Sequence, residues 1–348
     1  MPSDPKITCV YVGNSDAQDL SILELHADGT LSERGSVAVH RPSRPGRSML
    51  MAVSAHKKFL YVGFLSGEAC SSASTYSIDP GTGLLSHLGE TQLADVMSYL
   101  SLDRSGRYLL CASYAGNKVT VNAIAADGTV GETLHILPTE PKAHCVLADP
   151  ANRTVLHTSL GGDQIRQDGF DGETGRLLPL TPRAVLVRPH AGPRFLQFSR
   201  DGRFVYVINE LDGSLDVFPY DLAEGKLQSS VQTVTVLPDR FSGKPWAADI
   251  HLTPDGRYLY GSERTSSTLA AFRVDTGTGL LTPVGSFATA TQPRAFDIDP
   301  SGRYLVSSGQ LSNSLVSHAI DAATGRLTTV GEYPVGPGPL WVQIVALP

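Results

Sequence analysis

The chain has 348 residues, of which 41% are hydrophobic and 18% charged, so it can bury a sizeable core. Its formal net charge of −6 argues against a nucleic-acid partner, because phosphate binding requires a basic surface. No apolar run approaches the length of a membrane span, so no membrane association is expected.

The N-terminal sequence and the cysteines predict a cytoplasmic protein. The first residues, "MPSDPKITCVYVG", lack the basic and apolar regions of a signal peptide. Cys9, Cys70, Cys111 and Cys145 are far apart in the chain. Most of them stand in apolar, strand-like runs, so we expect them to be reduced core residues rather than disulfide partners.

One sequence plan recurs along the chain: a strand, a tight turn with a basic residue, and a second strand. In chain order the copies read "VSAHKKFLYVG", "LDRSGRYLLCA", "ADPANRTVLHT", "FSRDGRFVYVI", "LTPDGRYLYGS" and "IDPSGRYLVSS". The basic residue returns about every 50 residues. In turns such as Pro254-Asp255-Gly256, proline presets one backbone dihedral and glycine supplies a left-handed one.

The repeat predicts an all-β fold, a seven-bladed β-propeller. Each copy continues with an alternating strand such as "GSLDVFPYD", a turn such as "DTGTGL" and a fourth short strand. Four strands per unit at a fixed period favour a propeller over a β-sandwich or two barrels. A seventh copy is split, because "CVYVGNSD" near the N-terminus matches the second strand alone. We predict that "LWVQIVAL", residues Leu340 to Leu347, supplies its innermost strand and closes residues 1–348 into one propeller domain.

The first strand of each unit lines the central channel, so its polar residues are free for chemistry. Superposing the copies places His144, Arg194 and Arg294 at equivalent positions where these strands begin. Tyr99 and Trp341 stand one position further along their own strands. These residues are predicted to form one ring around the channel.

The second strands end in another ring, which includes Glu210, Arg264 and Gln310. A strand's end and its neighbour's beginning lie on the same face, so the two rings are predicted to meet at one channel mouth. Arginine forks in an acidic protein suit a small anionic ligand with a phosphate or carboxylate group. The alternative is an ion-pair network that only plugs the channel. Arg264 is not expected to pair with Glu263, since adjacent strand residues point to opposite faces.

Three further residues are weaker candidates for ligand contacts. Asp249 and His251 alternate on an innermost strand, where a role in the channel and a structural role are equally compatible with the sequence. Asp163, in "SLGGDQI", lies in a loop on the same side as Glu210. No cluster of acidic residues and histidines has metal-ligand spacing, so neither a metal nor another cofactor is expected.

Long motifs resemble the family of seven-bladed propeller lactonases. They are "AGPRFLQFSRDGRFVYVINELDGSLDVF", "KPWAADIHLTPDGRYLYGSERTSS", "TQPRAFDIDPSGRYLVSSGQLSN" and "VGPGPLWV". The family also includes a fungal carboxymuconate-lactonising enzyme, whose proposed catalytic groups are one histidine, one glutamate and two arginines. By motif these fall on His144, Glu210, Arg194 and Arg264, the residues that superposition of the repeats had already selected.

The resemblance implies a metal-independent hydrolase acting on a small anionic sugar lactone, 6-phospho-D-glucono-1,5-lactone. His144 or Glu210 would be the base, Arg194 or Arg264 would stabilise the oxyanion, and Arg294 would hold the phosphate. Alternatives are a lactonase for another sugar lactone, a carboxymuconate-type cyclase, or a non-catalytic propeller scaffold. The sequence does not decide between a monomer and a dimer.

Overall fold

The structure is a computed structural model that describes residues 7–39, 49–65 and 71–348. These residues form seven small antiparallel sheets, the blades, as the repeat predicted. Blades 1 to 3 contain β1 (Ile7–Asn14), β2 (Asp19–Leu25), β3 (Leu31–Ala38), β4 (Met49–Val53), β5 (Phe59–Leu65), β6 (Ser71–Ile78), β7 (Leu85–Gln92), β8 (Tyr99–Leu102), β9 (Tyr108–Ser113), β10 (Lys118–Ile124) and β11 (Val130–Pro138).

Blades 4 to 7 follow in the same strand order, with a short 3₁₀ helix in blade 4 and a divided outer strand in blade 5. They contain β12 (Ala143–Ala148), β13 (Thr154–Ser159), the 3₁₀ helix (Leu160–Gly162), β14 (Gln164–Asp171), β15 (Arg176–Leu186), β16 (Pro193–Phe198), β17 (Phe204–Asn209), β18 (Ser214–Asp221), β19 (Lys226–Leu227), β20 (Gln232–Thr235), β21 (Ala247–Leu252), β22 (Tyr258–Glu263), β23 (Thr268–Val274), β24 (Leu281–Ala288), β25 (Pro293–Ile298), β26 (Tyr304–Gly309), β27 (Ser314–Ile320) and β28 (Leu327–Pro334). The last strand of the chain, β29 (Pro339–Leu347), belongs to blade 1.

The two ends of the chain close the ring in blade 1, which confirms the predicted split copy. Strand β29 pairs antiparallel with β1, from Ile7 opposite Leu347 to Asn14 opposite Pro339. It thereby becomes the innermost strand of the sheet β29-β1-β2-β3. Adjacent innermost strands contact one another around the whole channel, including β29 with β4 and with β25.

The core lies between the faces of neighbouring blades. Second strands such as β9 are buried along their whole length, whereas outer strands such as β11 alternate mainly between half-buried and exposed positions. The turn that recurs in the repeats contacts the neighbouring blade. Arg203 donates from Nη2 to the carbonyl oxygen of Thr276 at 2.9 Å, and the Tyr206 hydroxyl donates to Gly279 at 3.1 Å. Gly279 has φ +74°, and a Cβ there would lie 2.4 Å from the ring of Phe204. The basic residue, aromatic residue and turn glycine therefore fix blade 5 against blade 6, and Arg107 and Arg153 reach carbonyl oxygens of the next blade in the same way.

Cys9, Cys111 and Cys145 are buried free thiols, whereas Cys70 lies outside the described residues. Within the described part of the chain, no helix is long and apolar enough to cross a membrane.

Candidate active site

Glu210 lies between two buried arginines at one mouth of the channel. Its Oε2 accepts a hydrogen bond from Nε of Arg194 at 2.9 Å and another from Nη2 of Arg264 at 2.8 Å. Arg194 also donates from Nη1 to the carbonyl oxygen of Ala248 and is 1% exposed. Glu210 and Arg264 follow second strands, and Arg194 lies at the start of a first strand. The structure thus brings the two predicted rings together.

Arg264 is held on several sides. It donates from Nε to the carbonyl oxygen of Trp246 at 3.0 Å and from Nη2 to that of Ala247 at 3.2 Å. The indole of Trp246 covers the guanidinium, with 3.8 Å between Cζ and the ring centroid. Burial, together with the nearby Arg194, lowers the pKa of Arg264, and Glu210 partly opposes this shift.

Glu263 does not pair with its neighbour Arg264, as strand alternation predicted. Its side chain is fully buried. Its Oε1 accepts from the backbone N–H of Trp246 at 2.7 Å, and its Oε2 accepts from the backbone and hydroxyl of Ser266, both at 2.6 Å. Glu263 therefore holds the backbone at Trp246 and at Ser266, close to Arg264.

His144 is a buried neutral imidazole beside the arginines. Burial lowers its pKa well below the usual value, and the charges of Arg194, Arg294 and Arg264 lower it further. Its ring meets the rings of Phe195 and Tyr114 edge to face, with centroids 5.3 and 5.8 Å apart. Its Nδ1 is buried without a hydrogen-bond partner in the described structure. That nitrogen therefore has an unused hydrogen-bonding capacity inside the protein.

Arg294 adds a third guanidinium to the group. Burial lowers its pKa to about 10, Arg194 contributes in the same direction, and Glu210 and Asp249 oppose the shift. Three arginines and one carboxylate at the mouth leave an excess of positive charge. Such a group favours an anionic ligand.

β-Bulges lie next to several side chains of the site and set their direction. Strands β12, β16, β21 and β25 each place one extra residue opposite their partner strand, close to His144, Arg194, Asp249 and Arg294 respectively. Strands β4 and β8 pair with their partners without such a shift. A bulge turns the following side chains relative to the regular alternation, so it re-aims residues at the channel.

Hydroxyl groups complete the hydrogen bonding at the bulges. Thr158 accepts from the backbone N–H of Cys145 at 3.0 Å and donates to the carbonyl oxygen of Arg194 at 2.7 Å. Ser262 accepts from the backbone N–H of Asp249 at 3.0 Å, and Ser308 donates to Ala295 at 2.9 Å.

Three aromatic side chains form a layer across the channel. Tyr99 contacts Phe195 and Trp341 edge to face, with centroids 4.9 and 5.6 Å apart, and Phe195 lies 6.0 Å from Trp341. Phe195 also touches His144 and Arg194, so this layer borders the group at the mouth. Tyr99 and Trp341 thus stand in the channel, as the superposed repeats predicted.

A polar cavity of about 230 Å³ adjoins the aromatic layer and is bordered by Asp249, His251 and Asp297. His251 Nε2 lies 3.3 Å from Asp249 Oδ1, and His251 Nδ1 lies 4.0 Å from Asp297 Oδ1. Burial acts to lower the pKa of His251, but the two carboxylates outweigh it and raise that pKa to about 9. Asp249 and Asp297 also accept backbone N–H groups of Phe296 and Ile344. Asp249, His251 and Asp297 thus form one network of ionisable side chains within the channel.

Two predicted residues hydrogen-bond to the loops that precede first strands. The carboxylate of Asp163 accepts from the backbone N–H groups of His190 at 2.7 Å and Gly192 at 2.9 Å, so it orders the loop before β16. Gln310 accepts from Nε2 of Gln292 at 2.9 Å.

Sequence reasoning missed Trp246, Tyr114, Phe195 and Asp297. Tyr114 ends a second strand at the position equivalent to Glu210 and Arg264, so the superposed repeats contained that signal. Trp246 stands in a loop, where no period applies. Among the described residues, no group of three or more His, Cys, Asp or Glu side chains is arranged to hold a metal ion.

Comparison with known proteins agrees with the fold. The family model "Lactonase, 7-bladed beta-propeller" matches residues 10–344. The 6-phosphogluconolactonase of Pectobacterium carotovorum subsp. carotovorum is 40% identical, over 97% of this chain and 98% of that protein. The Serratia proteamaculans protein of the same name is 39% identical over the same shares. The solved structure of the Pseudomonas aeruginosa periplasmic gluconolactonase, PpgL, is 28% identical with a TM-score of 0.89, covering 98% of this chain and 100% of that one.

The chain therefore belongs to the lactonase family of seven-bladed β-propellers. This confirms the family resemblance, the fold class and the prediction of a lactonase.

Proposed function

We propose that this protein hydrolyses 6-phospho-D-glucono-1,5-lactone to 6-phosphogluconate, a step of the pentose phosphate pathway. The observation that carries the proposal is the neutral imidazole of His144 beside three arginines, two of which share Glu210. The names of the relatives at 39–40% identity give the substrate class.

His144 acts as the general base in this proposal. It takes a proton from water while the water oxygen bonds to the lactone carbonyl carbon, and the carbonyl π electrons move to oxygen. The tetrahedral intermediate then expels the ring oxygen, which takes the proton back from the imidazolium. The products are a hydroxyl group and a carboxylic acid, so atoms and charge balance.

The charge of the substrate tunes this base. In the free protein the arginines depress the pKa of His144. A bound phosphate offsets their field, so the pKa of His144 rises when the substrate is in place. The imidazole then becomes a stronger base in the complex than in the free protein.

The arginines divide the remaining tasks. Arg194 is almost fully buried and acts by fixing Glu210 and by its charge. Arg264 uses Nε and Nη2 to bind protein oxygens, so in this proposal Nη1 is its donor to the developing oxyanion. Arg294 holds the phosphate. Glu210 keeps the two buried guanidinium groups close together.

The test is an assay of purified protein against 6-phospho-D-glucono-1,5-lactone, D-glucono-1,5-lactone and carboxymuconate, with and without EDTA. We expect preference for the phosphorylated lactone, no cyclase activity, and the same rate with EDTA. His144→Ala should reduce kcat about 100-fold or more, the usual scale for a general base. His26→Ala, which removes an imidazole from blade 1, is the matched control. Near-normal turnover of the His144 variant would refute the assignment of the base.

We also propose that the protein works in the cytoplasm. Three buried free thiols, Cys9, Cys111 and Cys145, support a reducing compartment. Cell fractionation with an antibody to the native protein tests this, and recovery of the chain in the periplasm would contradict it.

A further inference from the structure

Trp246 is an exposed aromatic residue attached to the arginine group. Its side chain is 40% exposed, although the next two residues, Ala247 and Ala248, are fully buried. Its ring covers the guanidinium of Arg264 at 3.8 Å. The exposed part of the indole therefore lies in solvent next to Arg264.

The backbone of Trp246 is fixed from both sides. Its N–H donates to Oε1 of the buried Glu263 at 2.7 Å. Its carbonyl oxygen accepts from the backbone N–H of Arg264 at 3.1 Å and from Nε of the same residue at 3.0 Å. Since the backbone is held and the ring stacks on Arg264, the side chain loses little further conformational entropy when a ligand packs against it. The exposed indole is therefore a preorganised surface.

An arginine beside an aromatic ring matches the two sides of a cyclic sugar. The edge of the sugar ring carries oxygens that accept hydrogen bonds, and its face carries C–H groups that pack on an apolar surface. Ligand sites commonly combine an aromatic wall with a few placed polar groups in this way. Inorganic phosphate has no such face, and an open-chain sugar acid does not present it rigidly.

We propose that Trp246 determines specificity by packing against the ring of a cyclic sugar ligand, so that the site favours a closed lactone over its open product. This inference rests on the proposed function, because it assigns the wall of the same site. Phosphate recognition by the arginines is a separate contribution that does not need the indole.

Isothermal titration with stable probes tests the proposal. D-glucose 6-phosphate serves as the cyclic probe, 6-phosphogluconate as the open-chain probe and inorganic phosphate as the anion alone. We expect Trp246→Ala to weaken binding of D-glucose 6-phosphate about five- to tenfold while phosphate affinity stays within about twofold. Trp246→Phe should retain most of the affinity for the cyclic probe. Leu311→Ala, which removes an apolar side chain that is 65% exposed, is the matched control and should change neither affinity.

Fluorescence provides a second measurement. The chain has two tryptophans, so Trp341→Phe leaves Trp246 as the single indole emitter. D-glucose 6-phosphate should shift that emission more than inorganic phosphate does at equal occupancy.

Each result separates the possibilities. Equal loss of affinity for the cyclic probe and for phosphate would mean that Trp246 only orients Arg264, and the proposal would fall. It would also fall if wild-type protein did not bind D-glucose 6-phosphate at millimolar concentration. A wild-type protein that binds the cyclic probe through Trp246 but hydrolyses no lactone would refute the proposed function alone.

Discussion

Glu210 forms ion pairs with two buried arginines, so we expect it to matter for stability as well as for catalysis. Arg194 and Arg264 have side chains that are 1% and 5% exposed, and both bind the same oxygen of Glu210. Removing one member of a buried ion pair leaves uncompensated charge in a poorly solvated place. The site therefore depends on an internal anion even before a ligand arrives.

We predict that Glu210→Gln lowers the free energy of unfolding by about 3 kcal/mol, because two buried guanidinium groups lose their shared partner. A bound sulfate should restore part of that loss by occupying the same positive field. Urea denaturation with and without sulfate measures both effects. Glu224→Gln, at an exposed position, controls for the general stabilising action of sulfate. Equal sulfate responses in both variants would contradict the prediction.

The buried His144 gives a second prediction at this scale. Its pKa is depressed in the free protein by burial and by the arginines, so sulfate binding should raise the pKa of His144. Histidine ring NMR across a pH titration measures the shift, with the resonance assigned by its absence in His144→Gln. The depressed pKa also affects stability. Because folding keeps this histidine neutral, it contributes stability above about pH 6.5 that is lost as the pH falls. Unchanged titration with sulfate would show that no anion binds near this ring.

We predict that Arg264→Lys lowers kcat about 100-fold, the scale for loss of one oxyanion donor. Lysine keeps the charge but cannot bind Glu210, Trp246 and Ala247 together or present a fork. Steady-state kinetics on phosphorylated and unphosphorylated lactones separates the roles. An increase in KM confined to the phosphorylated substrate would instead assign Arg264 to phosphate binding. Arg257→Lys, on an exposed turn, should behave as wild type.

At the scale of the strand, the bulges decide which side chains enter the channel. Two neighbouring innermost strands, β12 and β16, carry His144 and Arg194 at their bulges, and the hydroxyl of Thr158 joins them. Because one extra residue reverses the alternation of the strand, the bulge sets the direction of every side chain that follows.

We predict that Thr158→Val destabilises the protein by about 1–3 kcal/mol, since it leaves the Cys145 N–H and the Arg194 carbonyl without a partner. It should also lower kcat at temperatures where the variant is fully folded, because both site strands lose their link. Thr120→Val, a fully buried threonine on β10, is the matched control and should affect stability only. If both variants kept full kcat, the bulge would have no part in catalysis.

At the scale of the whole molecule, one terminal strand holds the ring closed. Strand β29 completes blade 1 and also contributes Trp341 and Gln343 to the channel. The strand that closes the ring therefore also supplies side chains that line the channel.

We predict that deletion of residues 340–348 gives insoluble or strongly destabilised protein, because it exposes an edge of β1 and uncovers core on both sides. Deletion of Pro348 alone, which is exposed, should be harmless. Solubility and thermal unfolding of the two truncated chains provide the comparison. An unchanged melting temperature in the longer truncation would show that the ring does not need this strand.

The repeat by itself determined the blade count, the closure and the ring of candidate residues. A fixed period places equivalent positions at the same height in every blade, so His144, Arg194, Arg264, Glu210 and Arg294 could be brought together without coordinates. The separation of Arg264 from Glu263 followed in the same way, because strand alternation is local geometry. Tyr99 and Trp341 were placed in the channel by the same reasoning.

Only the tertiary structure decided the contacts that depend on distances between blades. The shared oxygen of Glu210 and the aromatic layer of Tyr99, Phe195 and Trp341 require the spacing of neighbouring innermost strands. Trp246 reaches Arg264 from a loop, where no period applies, and Asp163 is drawn into loop ordering by backbone groups near β16. The bulges were also invisible in the sequence, because one unpaired residue changes the direction of a side chain without changing the composition of its strand.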